Sequence, residues 1–208
     1  LPWAPRLRRF QEDPQPVIEL LEILKDDEEE YVRRSVANNL NDISKDHPAL
    51  AVETAARWWS DNQDTRRMVR HGLRTLIKAG DPDALAILGF GSDSPVQLQG
   101  VANEPEKVHI GESVRITADL DNASNGQGAA LVDFIVHFVK ANGTTSPKVF
   151  KGGERSLPAG ESTRVSKLVS LAQHSTRTHY AGVHKVEVQV NGTPHPGGIF
   201  VILNDKNE

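Results

Sequence analysis

The feature that most limits what this chain can fold into is a change of hydrophobic period at Gly89-Phe90-Gly91-Ser92-Asp93-Ser94-Pro95. Before this cluster, apolar residues recur at helical spacing: Val17, Leu20, Leu21 and Leu24, then Val32, Val36, Leu40 and Ile43, then Val69, Leu73 and Leu76. After it, β-branched and aromatic runs over 113–120, 130–139, 163–171, 183–190 and 199–203 alternate with turn residues. Gly, Ser and Pro punctuate between periodic segments. The switch therefore predicts two domains, 1–91 helical and 92–208 all-β, and 208 residues are enough to give each a core.

The helical part repeats itself. Arg33-Arg34-Ser35-Val36 aligns with Arg66-Arg67-Met68-Val69 at an offset of 33 residues, which puts Leu40 over Leu73, Ile43 over Leu76 and Lys45 over Lys78. Each unit reads as a helix pair, and pairs that cannot bury their apolar faces alone stack into solenoids. Ankyrin repeats share the period, but their Thr-Pro-Leu-His signature is absent. In the β part, turns are expected at 122–128, Asn142-Gly143, Gly152-Gly153, Pro158-Ala159-Gly160 and Asn191-Gly192. About seven strands so punctuated suit an immunoglobulin-like sandwich better than a closed barrel.

Composition removes several function classes. With no cysteine, the chain has no disulfide framework, zinc–thiolate site or cysteine nucleophile, and a reducing cytoplasm is the expected location. No apolar run approaches the roughly 20 residues that span a bilayer, so no membrane partner is expected. None of the eight histidines has metal-ligand spacing, and no phosphate-binding loop, nucleophile elbow or dinucleotide fingerprint is present. Neither a metal nor a cofactor is expected. A net charge of -4 argues against a uniformly basic nucleic-acid binder and leaves the distribution of charge over faces as the deciding quantity. The opening Leu1-Pro2-Trp3, without methionine, reads as the start of a trimmed segment.

Two polar stripes stand out. Arg34, Asn38, Asp42 and Lys45 share one helix face, with Asn41 beside them, opposite Val32, Val36, Leu40 and Ile43. Arg66, Arg70, Arg74 and Lys78 follow at successive i, i+4 positions, with Arg67 adjacent. Each like-charged pair destabilises an isolated helix by roughly 0.2–0.5 kcal/mol, so the row is explained either by bound phosphates or by acids such as Asp61 and Asp64. The run Asn38-Asn39-Leu40-Asn41-Asp42 is poor helix former sequence. Hydrogen bonding between repeats is the expected role of Asn39, whereas Asp42, held among Arg34 and Lys45, is a candidate for stabilising a developing cation or holding a water. Of Trp58 and Trp59, one is expected in the core and the other between repeats. Trp3, between Pro2 and Pro5, either staples the first helix or stacks on a base or sugar. In the β part, 122–128 and 174–180 are candidate binding loops with Arg177 ranked first, though ordinary exposed loops have the same composition.

The stretch Tyr31-Val-Arg-Arg-Ser-Val-Ala-Asn-Asn-Leu-Asn-Asp-Ile-Ser-Lys-Asp-His-Pro48 resembles the AlkC branch of the AlkC/AlkD DNA glycosylases, as do Leu1-Pro-Trp-Ala-Pro-Arg-Leu7 and Val69-Arg-His-Gly-Leu-Arg-Thr-Leu-Ile-Lys78. The resemblance implies a multi-domain fold, all-α HEAT-like repeats followed by an all-β immunoglobulin-like sandwich. It implies duplex DNA as partner, base excision repair as the process, and hydrolysis of the N-glycosidic bond of cationic alkylated bases such as 3-methyladenine, by a monomer without cofactor. By the same resemblance Trp3 and Asp42 correspond to active-site residues, and Arg33 and Arg34 to basic positions of the DNA face. Asn38, Lys45, Arg66, Arg67, Arg70, Arg74, Lys78 and Arg177 complete the expected DNA-binding set. Family members carry further repeats before Leu-Pro-Trp, so this chain is expected to be the C-terminal part of a longer array, inactive by itself if those repeats are needed. The rival readings are a non-enzymatic HEAT-repeat adaptor that binds protein or DNA, and a secreted carbohydrate-binding sandwich. The second lacks an aromatic platform, since aromatics make up only 5% of the chain.

Overall fold

A computed structural model describes residues 7–173 and 178–204. Its contacts divide the chain into two compact units, Leu1–Gly89 and Phe90–Glu208.

The first unit holds α1 (Arg8–Glu12), α2 (Gln15–Leu24), α3 (Glu30–Asp46), α4 (Pro48–Trp58), α5 (Gln63–Gly72), α6 (Arg74–Ala79) and α7 (Pro82–Ile87). Its core is built from Ile18 and Leu21 of α2, Val36, Ala37 and Leu40 of α3, Ala51, Ala55 and Trp58 of α4, and Met68, Val69, Leu73 and Leu76 around α5 and α6. Local chemistry sets the ends. Proline occupies the first turn of α2, α4 and α7, where its missing N–H is harmless. The Asn62 side chain caps α5 by accepting from the N–H groups of Asp64 and Thr65. Gly80, with φ of 80°, ends α6 in the left-handed conformation.

The second unit holds β1 (Gln97–Glu104), β2 (Lys107–His109), β3 (Ser113–Asp121), β4 (Gly128–Val139), β5 (Thr145–Leu157), β6 (Ser162–Ser170), β7 (Gly182–Val190) and β8 (Thr193–Leu203). They form a three-stranded sheet, β1-β3-β6, and a five-stranded sheet, β2-β8-β7-β4-β5. All pairings are antiparallel except the short parallel one of β2 with β8. Val114, Ile116 and Val165 of the first sheet share one core with Val132, Phe134, Val186 and Phe200 of the second. Asn191 and Gly192, at φ of 47° and 82°, make the two-residue β7–β8 hairpin loop that the Asn-Gly pair favours.

Two expectations are corrected. No long HEAT-like helical repeat region precedes the strands: among the described residues there are seven helices and eight strands in two sheets, about 34% helix and 38% strand, so neither class dominates. Pro48, Gly80 and Pro82 cut the helical period into pieces, and the arginine-bearing helix breaks at Leu73, where ψ is 3°. The second correction concerns Gly152-Gly153, which is not a turn. The pair lies inside β5, where the register with β4 shifts between Val132 and Asp133 and Gly152 is left over as a bulge. A Cβ on Gly152 would stand 2.7 Å from the Val132 carbonyl oxygen.

His184 on β7 is fully buried. Its Nδ1 accepts from the Val139 N–H at 3.3 Å, its Nε2 meets the Tyr180 carbonyl at 3.2 Å, and its ring stacks on Phe200 at 5.3 Å. Burial holds its pKa below the usual 6.5, against the raising effect of the Tyr180 and His137 backbones. An unfolded chain then binds the proton more readily than the folded one, so the contribution of His184 is intact above about pH 6.5 and lost as pH falls towards the folded value. Hydrogen exchange of the β4 and β7 amides, corrected for intrinsic rates, should show stability falling between pH 7 and 5. His184→Gln should be less stable at pH 7 but flatter over that range, and parallel profiles would exclude the histidine as the cause.

Candidate nucleic-acid interface

The site grows from a close helix contact. Gly72 at the end of α5 lies so near α3 that a Cβ there would be 2.9 Å from Leu40 Cδ2. With no side chain between them, polar groups on the two helices meet across the seam. Asn41 of α3, 2% exposed, accepts from both the N–H and the hydroxyl of Thr75 at 3.2 and 2.8 Å. Asn38 Oδ1 lies 3.1 Å from His71 Nε2. The asparagine that ties the two segments is thus Asn41, not Asn39, which is exposed and donates to Ser35 of its own helix.

Beyond these links a cleft of about 390 Å³ opens between α3 and α5, lined by Glu30, Arg33, Arg34, Ala37, Asp64, Arg67, Met68 and His71. Three guanidinium groups face two carboxylates there. Arg33 is the least exposed: its Nη1 donates to the carbonyls of Asp27 and Glu28 at 2.6 and 2.8 Å, and its Nη2 lies 3.6 Å from Asp64. It clamps the turn before α3. Arg34 meets Glu30 at 2.7 Å and Arg67 meets Asp64 at 3.2 Å, both pairs largely in solvent. Exposed pairs of this kind contribute about 0–1 kcal/mol each, so an incoming anion exchanges with them at little cost.

Of the residues expected from sequence, the cleft gathers Arg33, Arg34 and Arg67, and Asn38 reaches it through His71. Arg66 turns away, donating to Asp61 at 2.6 Å and lying over the Trp59 ring at 5.4 Å. Arg70 is half-buried on α5. Arg74 donates to the His71 carbonyl at 2.7 Å, and Lys78 is exposed on α6. The expected row of four on one helix is therefore interrupted at Leu73. Asp42 pairs with Lys45 at 2.6 Å and not with Arg34, and neither residue lines the cleft. Trp3 and Arg177 lie outside the described residues. Trp58 is buried, with its indole donating to Glu22 at 2.6 Å, while Trp59 is partly exposed at the edge of the core. The loop at 122–128 is organised by its own buried Asn122, whose amide donates to the carbonyls of Gly126, Leu157 and Pro158. Sequence reasoning did not select His71; the only signal was its position 33 residues after Asn38, the repeat offset itself. Burial first, then the charges of Arg74 and Arg34, hold the pKa of His71 below its usual value. Among the described residues no group of three or more histidines and carboxylates could hold a metal ion, and no helix is long and apolar enough to cross a membrane.

A family model described as the C-terminal Ig-like domain of the uncharacterised protein YhaZ matches residues 97–204. The uncharacterized protein YhaZ of Bacillus subtilis (strain 168) is 38% identical over 192 residues, an alignment that covers 92% of this chain and 53% of that protein. The alkylpurine DNA glycosylase AlkC of Pseudomonas fluorescens, bound to DNA containing an abasic site analog, superimposes with a TM-score of 0.92 at 35% identity, over 98% of this chain and 56% of that one. The chain spans about half the length of these relatives.

The seam itself is testable. Asn41→Ala removes two hydrogen bonds from Thr75 and should lower the stability of the helical unit by about 1–3 kcal/mol, at about 0.5–1.5 kcal/mol each, in denaturant melts followed by far-UV circular dichroism. Asn39→Ala should stay within about 0.5 kcal/mol. Equal effects at the two positions would contradict the bridge.

Proposed function

The chain belongs to the YhaZ family, whose C-terminal Ig-like domain it carries at residues 97–204, and from that premise we propose that it is the DNA-binding part of a DNA repair glycosylase. The observation that carries the reading is the superposition of nearly the whole chain on a DNA-bound alkylpurine glycosylase at 35% identity. The arginine-lined α3–α5 cleft supports it chemically. Arg34 and Arg67 release exposed carboxylates to take phosphate oxygens, Asn38 holds His71 in place, and Arg70, Arg74 and Lys78 extend the basic surface along α5 and α6.

In the whole protein the proposed reaction is hydrolysis of the N-glycosidic bond of a cationic alkylated base such as 3-methyladenine. Such a base is already a good leaving group, so the protein has to stabilise the sugar cation that remains and present water to it. Asp42 supplies negative charge and Trp3 an aromatic face for that purpose. A protein-binding adaptor is the competing reading, favoured by the partners that Arg34, Arg66 and Arg67 find in Glu30, Asp61 and Asp64.

Two measurements test the proposal. Duplex affinity of the chain should fall steeply with ionic strength, and replacing both Arg34 and Arg67 with Ala should weaken binding of all sequences alike while reducing the slope of log K against log salt by about 2. Absence of duplex binding even at low salt would leave the adaptor. In the full-length protein Asp42→Asn should lower 3-methyladenine release more than it lowers binding, and unchanged release would remove Asp42 from the mechanism.

A further inference from the structure

Within the α3–α5 cleft the fixed charges have partners of opposite sign: Arg34 faces Glu30, and Arg33 and Arg67 both face Asp64. His71 has different surroundings. Its charged neighbours are Arg34 across the seam on α3 and Arg74 on α6, both cations, and both act to keep the ring neutral. Its Nε2 lies 3.1 Å from Asn38 Oδ1. An amide oxygen can only accept, so Nε2 carries the hydrogen and the lone pair of Nδ1 is where a second proton adds. The imidazole is thus oriented by a neutral partner, feels the charges of two guanidinium groups, and lines a cleft of about 390 Å³.

We propose that His71 is a proton-linked phosphate contact: a DNA phosphate seated in this cleft draws a proton from solvent onto Nδ1, which then donates to a phosphate oxygen while Nε2 stays on Asn38. This inference rests on the duplex-binding reading and adds a regulator to the same site. The physical reason is a change of sign in the local field. Without an anion, a charged imidazole would sit beside Arg34 and Arg74, while the carboxylates of the same cleft are engaged elsewhere, Glu30 by Arg34 and Asp64 by Arg33 and Arg67. With one, the negative phosphate lies against the imidazole and opposes the field of the two arginines, and protonation becomes favourable. Linkage then requires tighter binding as pH falls through the histidine range. Because the contact is to the backbone, the pH effect is the same for damaged and undamaged duplexes.

The test measures affinity of the 208-residue chain for a short duplex at constant ionic strength between pH 5.5 and 7.5, for the wild type and His71→Gln. The glutamine amide can still donate to Asn38 but cannot gain a charge. The wild type should bind about three- to tenfold more tightly at the lower pH than at the higher, with the variant flat over the range. A second readout needs no substitution: the NMR titration of the His71 ring should move to higher pH on saturation with duplex. Parallel pH profiles for the two proteins, or an unmoved titration, would overturn the role of His71 while leaving salt-dependent duplex binding intact. No duplex binding at any pH would overturn both readings.

Discussion

The contact on which the helical unit depends is the one between Gly72 and Leu40. Leu40 is fully buried, and Gly72 lets α5 approach α3 more closely than any residue with a Cβ could without displacing the leucine. Close packing of this kind transmits small changes in distance directly, because interiors have little free volume to absorb them. At that separation Asn41 reaches Thr75 and Asn38 reaches His71. The apolar contact brings the helices together, and the two asparagines fix their register. The charged cleft above is a consequence of that register, since it is what sets Arg34 and Arg67 on facing walls.

The charges of the cleft offset one another. A chain of net charge -4 can present a cluster of arginines because its own carboxylates offset the repulsion locally. The degree of burial divides the arginines into two kinds. Arg33, its side chain only 17% exposed and bonded to two backbone carbonyls, is part of the scaffold. Arg34, 66% exposed and held by a single glutamate, can change partner without leaving a buried group unsatisfied. Sequence position alone treats these neighbours as equivalent.

The parts of the fold legible in the sequence are those decided by apolar periodicity. Leu40 and Leu73, and Val36 and Val69, are all buried, as the 33-residue offset requires. Asn41 escaped because its neighbours on the buried face, Ala37 and Ser44, are too small or too polar to register as a hydrophobic stripe. The strands β1, β2 and β5 were not read because they lie at sheet edges and carry residues such as Gln97, Lys107 and Lys148, which a solvated edge accommodates and a periodicity count discards. The bulge at Gly152-Gly153 has turn composition, and what keeps it in the strand is pairing with β4, a long-range fact. The partner each arginine selects is likewise beyond sequence, being decided by rotamers among several acids within reach.

The same reasoning bears on Asp42. A carboxylate stabilises a developing cation strongly only where water is excluded, since the attraction between unit charges weakens in proportion to the effective dielectric. Asp42 is 61% exposed and already neutralised by Lys45. As it stands it is an ordinary surface ion pair. For it to serve the chemistry proposed, the carboxylate has to be shielded from water and parted from Lys45 when DNA is bound.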